Sequence, residues 1–308
     1  MAHRYRKGAT VWELGTPGGR HNPGEAACGT VAADARRRYS RYCETGHWDR
    51  RRTHMTVSID LNGRTALVTG GSRGLGAAMC RTLARAGAQV AVHYARDAAR
   101  ADAVVREIVA GGGRAVAVGG DFHAPDAVRA MVARAQDLLG PIDILVNNVG
   151  REETTGDPFE HGWEAFEKSF DLNVRSAYLI AQGVAPGMKA RRWGRIVNIL
   201  SMAAHSYPKG MAAYSTAKGA FASFTRAMAV ELGPDNITVN SVSPGWIPVE
   251  RHGASTIPGR LVTAGRTPLG HLGVPDDVAN VVAFLASDLA GFITGVEVPV
   301  CGGVHLIS

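Results

Sequence analysis

Short apolar runs recur along the chain from about residue 63 onward, each closed by glycine or a polar residue. Between them lie longer stretches whose apolar positions fall three and four apart. Runs of four to eight apolar residues read as buried strands, and the longer stretches have the period of helices packed on one face. The first run, Thr65–Thr69, leads into Gly70-Gly-Ser-Arg-Gly-Leu-Gly76. Leu75, Met79 and Leu83 then share one face of a helix ending near Gly87. Six more strands are predicted at Gln89–Tyr94, Arg114–Val118, Ile142–Val146, Gly194–Leu200, Ile237–Val242 and Val296–Val300. Helices are predicted over 98–110, 125–139, 160–190, 211–230 and 276–285. Continuously apolar strands alternating with helices predict a parallel sheet covered on both faces, a doubly wound α/β domain. No repeat or internal linker divides 55–308, so this stretch is one domain.

Residues 1–54 lack any apolar period and carry Arg36-Arg-Arg38, Arg50-Arg-Arg52 and Pro17-Gly-Gly19. Such a segment buries too little surface to offset its ordering entropy, so it is expected to be a mostly disordered extension. It has no apolar core of a secretory signal, and its five acidic residues argue against an organellar transit peptide. Met55 immediately precedes the patterned domain and is the expected functional start.

Charge changes the picture little. The 308 residues carry a net +7, but 1–54 hold eleven basic and five acidic residues, against 23 and 22 in the rest. The nearly neutral domain gives no reason to expect a nucleic-acid partner. No run of about 18 apolar residues exists, so no membrane span is expected. The four cysteines lie far apart with no C-x-x-C, which excludes a disulfide framework and fits a reducing, cytoplasmic setting. Cys28, Cys43, His47 and His54 match no zinc pattern, and no metal is expected.

The candidate chemistry lies at strand ends. Gly70, Gly74 and Gly76 have the spacing G-x-x-x-G-x-G between a strand and a helix. Glycines there let the backbone approach a pyrophosphate at a helix N-terminus, where free N–H groups and the dipole favour anions. Asp121 follows the third strand, where it could accept from an adenine amino group, and Asn147-Asn148-Val149-Gly150 follows the fourth. Asn173 lies in the long helix, Ser201 ends the fifth strand, and Pro244-Gly245-Trp246-Ile247 follows the sixth. In open α/β sheets ligands bind beyond the carboxyl ends of the strands, so these positions converge. Tyr214 and Lys218 lie four apart on a predicted helix and share a face. A lysine cation near a phenol favours the phenolate, lowering its pKa from about 10 and making Tyr214 a candidate proton donor and acceptor.

Taken together, Thr69-Gly-Gly-Ser-Arg-Gly-Leu-Gly76, Asp121, Asn147–Gly150, Asn173, Ser201, Tyr214-x-x-x-Lys218 and Pro244-Gly245 resemble the short-chain dehydrogenase/reductase family over 60–308. The resemblance implies a Rossmann-type seven-stranded sheet, a nicotinamide cofactor and a homotetramer or homodimer. It implies a catalytic set of Asn173, Ser201, Tyr214 and Lys218. Tyr214 would exchange the proton and Ser201 would donate to the substrate oxygen. Lys218 would bind the nicotinamide ribose, and Asn173 would hold a water of a proton relay. Cofactor contacts are expected at Gly70, Ser72, Arg73, Gly74, Leu75, Gly76, Arg96, Asp121, Phe122, Asn148, Val149, Gly150, Tyr214, Lys218, Pro244, Gly245 and Ile247. Three positions depart from the family pattern: Val149 for a frequent Ala, Val249 for a frequent Thr, and Cys301 for a usual Asp.

An acidic residue ending the second strand would favour NAD by bonding its 2′-hydroxyl. His93-Tyr-Ala-Arg96 stands there instead, and Arg73 and Arg96 could reach a 2′-phosphate. NADP(H) is the expected cofactor, with NAD(H) possible. The expected partner is a small carbonyl or alcohol substrate. The nearest resemblances, 3-oxoacyl-carrier-protein reductases and sugar dehydrogenases, both stay open. A dinucleotide-binding sensor or structural subunit is the non-enzyme alternative, which the intact catalytic set argues against. The glycine-rich stretch from Glu250 to Leu272, with Arg251, His252, Pro258, Arg260, Arg266 and His271, is expected to cover the active site.

Overall fold

The structure, a computed structural model, describes residues 58–150, 156–252 and 265–304. The expected N-terminal extension, with Cys28, Cys43, His47 and His54, lies outside the described residues, as do Pro258 and Arg260. Seven strands form one all-parallel sheet: β1 (Thr65–Val68), β2 (Gln89–Tyr94), β3 (Ala115–Gly119), β4 (Ile144–Asn147), β5 (Gly194–Ile199), β6 (Ile237–Pro244) and β7 (Glu297–Val300). Their order is β3-β2-β1-β4-β5-β6-β7. The chain runs outward from β1 one way, then returns and runs the other, so a crevice opens at the carboxyl ends of β1 and β4.

Alternation along each strand divides the core. Ala66, Val68, Val90, Val92, Ile144, Val146, Val197 and Ile199 face one layer. There they meet α1 (Gly74–Arg85), α2 (Ala98–Ala110) and α8 (Pro275–Ala286). Leu67, Ala91, Leu145, Ile196 and Val239 face the other layer. That layer is built from α3 (Pro125–Leu139), α5 (Ser176–Arg191) and α7 (Ala212–Leu232). A residue in a strand points opposite to its neighbours, so a run apolar at every position needs helices on both faces.

The helix starts follow local chemistry. Asp97 accepts from the Arg100 N–H at 3.1 Å to cap α2, and Pro125 and Pro275 occupy first-turn positions. Many element ends shift by a residue or two from the sequence expectation, and four differences bear on the site or the sheet. β4 starts at Ile144; Asp143 before it donates its N–H to the Thr65 carbonyl at 2.9 Å and accepts from the Arg195 N–H at 3.0 Å, while its carboxylate accepts from the Thr65 N–H at 3.1 Å and pairs with Arg191 at 3.0 Å. β6 runs on to Pro244, paired with Val300 of β7. The expected helix over 160–190 is α4 (Gly162–Phe170) and α5 joined by a π-helical turn, Asp171–Arg175. A short helix, α6 (Ala203–Ser206), follows β5.

Candidate active site

The loop from β1 to α1 is shaped by its glycines. Gly70 and Gly74 have φ of +63° and +54°, the left-handed region that glycine enters without strain. A Cβ on Gly76 would lie 2.0 Å from the Gly70 carbonyl oxygen, so only glycine fits there. Asn148 fastens the loop to the end of β4. Its N–H donates to Thr69 Oγ1 at 2.8 Å, and its Nδ2 donates to the Thr69 carbonyl at 2.9 Å. The α1 N-terminus has no acidic residue in its first turn and Arg73 at its cap, leaving a positive end facing the crevice.

A cavity of about 570 Å³ opens over this loop. Gly70, Arg73, Gly74, Leu75, Gly76, Asn148, Val149, Gly150, Ser201, Tyr214, Lys218, Pro244, Gly245 and Ile247 line it. The crevice therefore gathers fourteen sequence-derived candidates from five separate stretches of chain. Arg96, Asp121, Phe122, Ser72 and Asn173 are not on its wall. Arg96 is exposed beyond β2. Asp121 is exposed, with its carboxylate accepting from the His123 N–H at 3.0 Å. Phe122 is buried and stacked on His93 at 4.4 Å between ring centroids. Arg266 and His271 are exposed and also off the wall.

Lys218 is 2% exposed, and its ammonium donates to the Ile199 carbonyl at 2.7 Å. Its Nζ lies 5.7 Å from the Tyr214 ring centroid, on the face the i, i+4 spacing predicts. Burial pushes the Lys218 amine down to about 7, because removing a charge from water favours the neutral form. Asn173 is fully buried on the π-turn, with Nδ2 donating to the Gly150 and Ser169 carbonyls at 3.0 and 2.7 Å. Its Oδ1 is buried with no hydrogen-bond partner among the described residues. A Cβ on Gly150 would stand 2.2 Å from that oxygen and 2.7 Å from Lys218 Nζ. Both polar atoms thus converge behind Gly150, where a buried acceptor calls for a donor or a water. Ser201 Oγ accepts from the Ala203 N–H at 3.2 Å, held at the start of α6.

Several walls of the cavity were not singled out from the sequence. Met202, Ala203, Ser206, Pro208 and Met211 line it, beside Trp246, Glu250 and His252 from stretches the sequence places near the site. Trp246 and His252 pack ring to ring at 6.0 Å, and the Val249 N–H donates to His252 Nδ1 at 3.2 Å. Of the expected covering stretch, the 3₁₀ turn Glu250–His252 is what meets the cavity among the described residues. Val249 lies across the glycine loop, 3.3 Å from where a Gly74 Cβ would be.

A glycine loop at the switch point of a parallel sheet, with a tyrosine–lysine pair across the crevice, defines a dinucleotide-type oxidoreductase fold and site. Comparison with known proteins agrees. A family model described as enoyl-(acyl carrier protein) reductase matches residues 70–305. An uncharacterised oxidoreductase of Methylorubrum extorquens is 41% identical over 248 residues, covering 80% of this chain and 99% of that protein. The 3-oxoacyl-[acyl-carrier-protein] reductase of Pseudomonas aeruginosa is 37% identical, covering 80% and 100%. The crystal structure of a putative gluconate dehydrogenase from Agrobacterium tumefaciens superposes with a TM-score of 0.77 at 32% identity, covering 82% and 100%. The chain belongs to the short-chain dehydrogenase/reductase family and is an oxidoreductase of the kind that acts on alcohols and carbonyls.

Proposed function

We propose that this protein interconverts a carbonyl compound and a secondary alcohol using NADP(H), with Tyr214 as general acid–base. The observation that carries the reading is the meeting of Tyr214, buried Lys218 and the glycine loop around one cavity. Bound NADP(H) would supply or accept the hydride. The glycine loop and the α1 N-terminus would hold the pyrophosphate, and Asn148, Val149 and Gly150 would line the adenosine and ribose. Tyr214 gives its phenolic proton to the substrate oxygen in reduction and takes one in oxidation. Ser201 donates a hydrogen bond to that oxygen, where charge develops. Lys218 favours the phenolate by its charge and reaches the ribose hydroxyls. The buried Asn173 Oδ1 fits a role in holding a water between Lys218 and the outside.

Three observations support NADP(H) over NAD(H). Tyr94, not a carboxylate, ends β2. The nearest acid, Asp97, is engaged with Arg100, accepting from its N–H at 3.1 Å and pairing with its guanidinium at 3.0 Å. Arg73 on the cavity wall and exposed Arg96 beyond β2 would be the cations to meet a 2′-phosphate. Asp121, exposed just beyond β3, would accept from the adenine amino group, while Phe122 backs that loop from the core, stacked on His93. The substrate reading taken from the Pseudomonas relative is a 3-oxoacyl thioester. The sugar-acid reading has support of its own, since Ser206, Glu250 and His252 give the outer wall polar groups for a polyhydroxy compound. A cytoplasmic homotetramer or homodimer completes the reading; Trp163, 64% exposed on α4, suits a subunit contact. Among the described residues no helix is long and apolar enough to cross a membrane.

The test is a substrate panel with purified protein: diketones and acetoacetyl thioesters with NADPH or NADH, and aldoses and polyols with NADP⁺ or NAD⁺. Turnover faster with the phosphorylated cofactor is expected. Equal or faster turnover with NADH would overturn the cofactor choice. Cofactor binding without turnover on any compound would overturn the activity.

A further inference from the structure

His93 has a place in the fold that the catalytic scheme does not use. It is the fifth residue of β2, 1% exposed, at the strand end beside the glycine loop. The Gly70 N–H donates to its Nδ1 at 3.0 Å. Its Nε2 lies 2.9 Å from the Gly120 carbonyl oxygen, the residue before Asp121. One ring therefore joins the first glycine of the pyrophosphate loop to the loop that carries Asp121 and Phe122. Its face is stacked on Phe122, with 13° between the planes. Both bonds exist together in a single protonation state: Nδ1 bare to accept, Nε2 protonated to donate. The cation would set an N–H against the Gly70 N–H.

We propose that His93 is a positioning residue for the adenosine-phosphate half of the dinucleotide, its neutral imidazole clamping the glycine loop to the β3–α3 loop. The role rests on the NADP(H) reading above. It carries a clear chemical signature. The two loops would hold opposite ends of the same half of the cofactor, so loosening their spacing weakens binding of that half and leaves the hydride and proton chemistry alone.

The side-chain series that separates the two bonds is short. In His93→Asn the amide oxygen overlays Nδ1 and keeps the Gly70 bond. In His93→Gln the terminal amide overlays Nε2 and keeps the Gly120 bond. His93→Leu keeps the volume and loses both. Dissociation constants for NADPH and for 2′,5′-ADP are measured with each, alongside kcat at saturating NADPH and thermal unfolding. His93→Leu is expected to weaken both ligands about tenfold, the worth of one to two hydrogen bonds. kcat should stay within about twofold, and Asn and Gln should fall between Leu and wild type. If the Leu variant does not fold, Asn and Gln carry the comparison, and each should bind both ligands more weakly than wild type with kcat retained. Variants that melt earlier yet bind NADPH and 2′,5′-ADP like wild type would reduce His93 to a structural residue and overturn the role. So would a loss of kcat with unchanged affinity. Wild-type protein that binds no dinucleotide would overturn the proposed activity and this role together, whereas wild-type binding with unaltered variants overturns the role alone.

Discussion

Lys218 carries a nearly fully buried amine, and that placement costs stability in a pH-dependent way. Its native value is about 7, against 10.5 for an ordinary lysine. Between those values the unfolded chain holds a proton that the native chain does not, so the stability of the fold rises with pH from about 7 to 10.5. Lys218→Met should remove that slope, and at pH 7 it should melt at or above wild type, since an apolar replacement of a buried charge is often stabilising. The same variant should lose about 10²–10³-fold in turnover, the usual worth of proton-transfer machinery. Unfolding curves across pH 7–10 with initial rates check both halves. His93 shifts in the same direction at lower pH: burial takes it from 6.5 to about 4, so its contribution is complete above 6.5 and fades as pH falls through about 4. The glycine behind the site is equally constrained. Gly150→Ala would push a methyl onto Asn173 Oδ1 and Lys218 Nζ. A displacement near 1 Å in such groups costs about 10²-fold in rate, which is the loss expected in kcat. The placement of Tyr214, Lys218 and Ser201 at the crevice was legible in the sequence from strand ends and one helix turn, whereas the roles proposed for them and for Asn173 follow from the family resemblance. The role of His93 was not legible, because its partners are backbone groups 23 and 27 positions away.

At the scale of elements, the strands were read from apolar runs, and the errors have local causes. The run Ile142–Val146 includes Asp143, whose carboxylate accepts from the Thr65 N–H at the start of β1 while its own N–H donates to the Thr65 carbonyl. The π-turn Asp171–Arg175 has no compositional mark, since Asp-Leu-Asn-Val-Arg is acceptable in an ordinary helix. Its extra residue per turn swings Asn173 inward, and such bulges are frequent at functional sites. Helix α6 is too short to show a period, yet it places Ser201 and part of the cavity wall. It is tied to the sheet edge through Glu297, whose carboxylate accepts from Ser243 Oγ and pairs with His205 Nε2 at 2.7 Å. Glu297→Ala would leave the Ser243 hydroxyl buried without that acceptor. A loss of about 1–3 kcal/mol is expected in denaturant unfolding, the cost of one unsatisfied buried group.

At the scale of the molecule, the described residues form a doubly wound sheet whose reversal between β1 and β4 opens the crevice, and alternation of strands and helices sufficed to read that plan. The outer wall was less legible, since turns such as Glu250–His252 are placed by tertiary contact rather than by any period. Relatives align over 98–100% of their own length while covering about 80% of this chain. Removing residues 1–54 is therefore expected to leave turnover and cofactor affinity unchanged, and a truncated protein with reduced kcat would refute this. The claim on which the whole account turns is that one phenol moves the proton. Tyr214→Phe keeps the ring and removes the hydroxyl, so the decisive measurement is its kcat on the best carbonyl of the panel, with NADPH affinity determined on the same sample. The account predicts a loss of about 10²–10⁴-fold in kcat with NADPH bound as tightly as by wild type. A Tyr214→Phe protein that turns over at the wild-type rate would contradict it.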